Sequence, residues 1–72
     1  MAYDYSKLNG RIIEVCGTRK AFAERMGFSE ATISKKLRGE IPFRQEEISH
    51  SIKVLGLNTS DILEYFFTEK LS

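Results

Sequence analysis

Apolar residues recur along this chain at spacings of three and four, and the pattern reads as successive helices punctuated by glycine. Leu8, Ile12, Val15 and Cys16 share one face of a first helix, capped by Asp4 or Ser6 and running to about Cys16. Gly10 weakens that helix, and its missing side chain suits close contact with a neighbouring helix. Thr18 caps a second helix carrying Phe22, Ala23 and Met26. Gly27 ends it, in the left-handed conformation that glycine adopts without steric cost. Ser29 caps a third helix, with Ile33 and Leu37 pointing inward at i and i+4. Gly39 and Pro42 then break the chain, and Ile41 and Phe43 are expected to return to the core. A fourth helix, starting near Arg44 or Gln45, aligns Ile48, Ile52 and Leu55 before Gly56 stops it. Ser60 or Thr59 caps a short last helix containing Ile62 and Leu63, after which Tyr65, Phe66 and Phe67 cluster. No strand is needed to account for the chain. The expected fold is all-α: a compact five-helix bundle forming a single domain over 1–72, with a short C-terminal helix and aromatic tail at 60–72.

Within it, 19–39 has the layout of a helix-turn-helix. Two short helical patterns meet at a glycine-containing turn, and Ala23 is small enough for the second helix to cross closely. The outward face of that second helix carries Glu30, Ala31, Thr32, Ser34, Lys35, Lys36 and Arg38, short polar groups first and cations later. A helix so decorated can enter a major groove.

Composition narrows the function. Seventy-two residues, 42% hydrophobic and 29% charged, make a globular domain with a modest core and no room for an enzyme cleft. Cys16 is the only cysteine and His50 the only histidine, so neither a disulfide nor a metal site is expected, and no catalytic constellation or cofactor motif is present. No apolar run approaches the roughly 18 residues that span a bilayer, and MAYDYSK lacks a signal peptide's hydrophobic region; a cytoplasmic protein is expected. The net charge of +1 is unevenly spread: Arg19, Lys20, Arg25, Lys35, Lys36, Arg38 and Arg44 make the middle basic, while Glu46, Glu47, Asp61, Glu64 and Glu69 make the C-terminal part acidic. The basic patch favours phosphates, yet the pI of about 7.9 lies below the value above nine typical of strong nucleic-acid binders.

From Lys7 through Phe67 the chain resembles small phage regulators of the Cro and repressor helix-turn-helix family. Its flanks YDYSKLNGRIIEVCGT and ILEYFFTEKL are similar to the ends of compact regulators from temperate phages of Gram-positive bacteria. Among these it is most similar to the modulators of repression, antirepressors of lactococcal-type phages that act with or against the lysogeny repressor. The resemblance implies a recognition surface of Ser29, Glu30, Ala31, Thr32, Ser34, Lys35 and Arg38, with Thr18, Arg19, Lys20 and Lys36 meeting phosphate or a partner. Some family members place the second inward apolar residue one position before Leu37, where this chain has Lys36. Tyr65, Phe66 and Phe67 are too many adjacent aromatics for one small core and suggest a dimer or partner interface that Tyr3 and Tyr5 extend.

Two functions follow from the resemblance. The first is an antirepressor that binds the phage lysogeny repressor in the bacterial host, its Glu24, Glu30 and Glu40 complementing the cations of the repressor's reading surface. The alternative is a Cro-like repressor that binds operator DNA as a dimer, Lys35 reading guanine and Ala31 touching a thymine methyl. Neither requires a small-molecule substrate, a membrane or a cofactor.

Overall fold

In a computed structural model, which describes residues 3–70, the chain forms five α-helices joined by short turns. They are α1 (Ser6–Cys16), α2 (Arg19–Met26), α3 (Glu30–Leu37), α4 (Gln45–Leu55) and α5 (Ile62–Phe66), with a 3-10 turn at Thr59–Asp61 leading into α5. The expected domain limits at 1–2 and 71–72 lie outside the described residues.

The starts of α2 and α3 follow their sequence signals. Thr18 Oγ1 accepts a hydrogen bond from the Ala21 amide at 3.0 Å, and Ser29 Oγ accepts one from the Thr32 amide at 3.1 Å. Each satisfies a donor that a helix N-terminus leaves without a backbone partner. Between the two helices Gly27 has φ 80°, and the Phe28 amide turns back to the Ala23 carbonyl at 2.8 Å. That bond closes the left-handed helix end and lets the chain reverse at once.

At α1 one of the two expected caps serves, and at α5 the cap differs from expectation. Ser6 is already helical, and Asp4 acts from two residues upstream, its Oδ1 accepting from both the amide (2.8 Å) and the hydroxyl (2.6 Å) of Ser6. At the other end, Thr59 and Ser60 lie inside the 3-10 turn. The tight turn brings Asp61 Oδ2 within 2.9 Å of the Asn58 amide, so Asn58 and Asp61 close it.

The core gathers Leu8 and Ile12 of α1, Phe22, Ala23 and Met26 of α2, Ile33 of α3, Ile52 and Leu55 of α4, and Phe66 of α5. α2 lies centrally, packed against α1, α3 and α4. Cys16, Phe43 and Ile48 pack half-buried on this cluster. Gly10 does not mediate a helix crossing: it is exposed, and a Cβ there would meet nothing within 4 Å. Ser51, a polar side chain sealed in the core, is satisfied by the Glu47 carbonyl at 2.7 Å. Arg11 ties α1 to the end of α4 by donating from Nε to the Leu55 carbonyl at 3.1 Å, one of the carbonyls a helix C-terminus leaves free. The chain ends meet as well: Tyr3 and Glu69 form a single antiparallel bridge, the Asp4 amide donates to the Thr68 carbonyl at 2.7 Å, and Lys7 pairs with Glu64. Apart from that bridge, the described residues contain no β-structure.

Candidate functional site

α3 owes its exposure to its neighbours. It rests on α2 across the turn at Gly27, and apart from that face and the contact of Lys36 with the loop before α4 and with Glu47, its surface is left to solvent. Its rotation, however, is not the one its apolar pattern suggests. Ile33 and Lys36 face fully inward and Leu37 is only half-buried. At 3.6 residues per turn, centring the buried face between Ile33 and Lys36 instead of Ile33 and Leu37 turns the helix by roughly 50°. Ala31, Lys35 and Arg38 become the outermost residues, while Thr32 and Ser34 sit half-buried on the flanks.

Lys36 is therefore no phosphate contact. It is 3% exposed, and its Nζ donates to the Pro42 carbonyl at 3.0 Å and to Glu47 Oε1 at 2.8 Å. The ammonium lies 5.2 Å from the centre of the Phe28 ring and 5.7 Å from that of Phe43, close enough for attraction to both π-faces. A buried ammonium requires this many partners, because an unpaired one is strongly destabilising. Its methylene stem meanwhile serves as the apolar residue that some members of the resembled family carry at this position. Burial pushes the Glu47 carboxyl up, but the bond from the Arg44 amide at 2.9 Å and the bond and charge of Lys36 outweigh it and hold the group below its ordinary value.

The other expected contact residues divide into free and engaged groups. Glu30, Ala31 and Lys35 are exposed and make no side-chain hydrogen bond or ion pair among the described residues. Arg19 and Lys20 stand exposed at the start of α2. Thr18 and Ser29 are committed as caps, and the Thr32 hydroxyl lies 2.9 Å from Ser29 Oγ. Arg38 is exposed yet paired, its Nε 2.5 Å from Glu40 Oε2, and the hydrogen bond and charge of Arg38 hold the Glu40 carboxyl below its ordinary value. Arg19 and Arg38, distant in sequence, meet on one open groove of about 500 Å³ that Lys70 also lines.

The aromatic trio separates. Phe66 is 1% exposed and closes the core, edge-on to Phe43 at 5.3 Å between ring centres, so it is not an interface residue. Tyr65 is half-buried; Phe67 is 41% exposed and stacks edge-on with Tyr3 at 5.5 Å. Tyr5 turns inward against Phe43, where burial raises its pKa. The apolar surface missed in the sequence is Leu63, 74% exposed; separately, Ile48, Ile52, Ile62 and Phe67 line a groove of about 410 Å³. No spacing distinguished Leu63: it precedes Phe66 by three and so shares its side of an ideal helix, and a helix of five residues is too short for periodicity to tell its inner face. The partnership of Lys36 with Glu47 joins separate helices and has no local signature.

No group of three His, Cys, Asp or Glu among the described residues is placed to hold a metal ion, and no described helix is long and apolar enough to cross a membrane. Residues 1–69 match a family model described as a protein of unknown function, DUF739. The solution structure of the modulator of repression of the temperate bacteriophage TP901-1 from Lactococcus lactis is similar to this chain at 47% sequence identity and a TM-score of 0.82, the match covering 100% of this chain and 97% of that one. No curated protein matches.

Proposed function

The chain belongs to the DUF739 family, and from its likeness to a phage modulator of repression and the charges on α3 we propose that it is a phage switch regulator, an antirepressor that binds the lysogeny repressor through its helix-turn-helix surface and modulates repression. Residues 19–39 form the motif, within a single domain over 1–72.

One observation carries the choice of a protein partner over DNA: the cations of the reading helix are largely cancelled within the chain. Lys36 is buried against Glu47 and Arg38 is paired with Glu40, while Glu30 remains free at the start of α3. A helix region that has two of its three cations neutralised, leaving Lys35 free, and keeps a free carboxylate suits a basic surface better than it suits phosphate, which a carboxylate repels. A repressor's DNA-reading face is such a surface, and covering it prevents operator binding. Glu30 and Glu24 meet its cations in this reading, and Ala31, Ser34 and Lys35 fill the contact around them. Arg19 and Lys20 lie at its border, and Phe67 with Tyr65 supplies an apolar contact outside the motif.

The test titrates the purified protein against phage operator DNA at two salt concentrations, with and without the repressor of the same phage. Release of repressor from the operator, or a complex that forms only when repressor is present, is the expected result. Tight, salt-sensitive binding by this protein alone would instead make it a Cro-like operator binder.

A further inference from the structure

The Lys36 side chain is unused by any surface role, yet among the described residues it is the most heavily partnered cation. It leaves the last turn of α3 and ends among groups from three other segments: Phe28 of the turn between α2 and α3, Pro42 and Phe43 of the loop before α4, and Glu47 of α4 itself. Glu47 Oε1 is shared, accepting from Lys36 Nζ at 2.8 Å and from the Arg44 amide at 2.9 Å. The ammonium and the first turn of α4 are thus locked to one oxygen.

We propose that Lys36 is the positioning residue of the α3 interaction face: its buried ammonium selects one of two rotations that the apolar residues of α3 leave open, and so determines which side chains reach a partner. Ile33 alone does not define the rotation, because Lys36 and Leu37 lie on either side of it around the helix, about 60° one way and about 40° the other. Hydrophobic burial by itself favours Leu37 inward and Lys36 in water. The donors of Lys36 find two oxygens and two ring faces only in the opposite rotation, and that is the one adopted. With Lys36 inward, Ala31, Lys35 and Arg38 project furthest; with Leu37 inward, Arg38 would retreat and Thr32 would come forward. A directional polar contact thereby decides what a non-directional apolar one cannot.

This rests on the proposed function only for its binding readout, and the experiment separates the two. Lys36→Met and Lys36→Arg are prepared in the full chain. The orientation of α3 relative to α1 and α4 is measured by amide residual dipolar couplings, stability by thermal melting, and affinity for the same phage's repressor by anisotropy. Methionine fills the slot between the two rings but donates nothing; arginine still donates to Pro42 and Glu47. The expected result is a folded Lys36→Met protein whose α3 couplings shift and whose repressor affinity falls about tenfold or more, with Lys36→Arg restoring both. Wild-type couplings in folded Lys36→Met overturn the proposal, as does unchanged affinity in a wild type that binds. If Lys36→Met does not fold, the decision passes to Lys36→Arg against Glu47→Gln: shifted couplings in Glu47→Gln alone support the clamp, and wild-type couplings in both overturn it. Failure of the wild-type protein to bind repressor at all refutes the proposed function while the couplings still decide the clamp.

Discussion

At the scale of single residues, the balance of α3 is electrostatic. Because Glu47 titrates below its ordinary value in the folded chain, the unfolded chain binds more protons in acid. Its contribution to stability is therefore complete above the usual glutamate range and disappears as pH falls through the lowered value. Glu47→Gln should remove that part of the acid dependence and cost about 3 kcal/mol near neutral pH, since it strands a buried ammonium. Urea melts of both proteins between neutral and acid pH check this, and parallel curves would refute it. A second prediction concerns Arg38, whose charge Glu40 offsets. Glu40→Gln should strengthen sequence-independent DNA binding and steepen its salt dependence, read by anisotropy on a random duplex; no change would show that Arg38 does not reach phosphate.

The elements depend on their ends more than on their interiors, as helices of eight residues must. Ser29→Ala removes the acceptor for the Thr32 amide and should destabilise the protein by about 1 kcal/mol, whereas Ser29→Asp should be tolerated. Chemical denaturation measures both, and equal loss in the two variants would argue against a capping role. Gly27→Ala meets no neighbouring atom but holds a left-handed φ, so its cost, again about 1 kcal/mol, comes from the backbone. The cap and turn signals of α2 and α3 were legible because each acts within four residues. At α1 the signal left Asp4 and Ser6 open and Asp4 serves, while at α5 the cap was displaced to Asn58 with Asp61, because neighbouring polar residues compete for the same free amides and tight-turn geometry decides among them.

Across the whole molecule, a series of edge-on and tilted aromatic rings joins the chain ends to the α3 clamp. Phe67 meets Tyr3, Tyr3 meets Tyr5, Tyr5 meets Phe43, and Phe43 lies against both Phe66 and the Lys36 ammonium. Its members differ in burial, and so should their mutants. Phe66→Ala opens a hole in the core and is expected to cost about 3 to 5 kcal/mol. Phe67→Ala, at a partly exposed position, should cost far less while weakening any partner contact made there. Thermal melting ranks the two directly, and comparable losses would mean that Phe67 is as much a part of the core as Phe66.

The sequence by itself determined the five helices, most of their core residues and the α2–α3 arrangement with its exposed Glu30, Ala31 and Lys35. All of these follow from periodicity, caps and glycine breaks that operate over one or two turns. Only the tertiary structure decided that Lys36 points inward, that Phe66 is core while Leu63 is surface, and that the first and last described segments meet. Those outcomes depend on groups brought together from separate segments, or on the packing of a helix too short to have a period. A cation on a helix reads as solvent-facing until the fold supplies a carboxylate, a carbonyl and two rings around it.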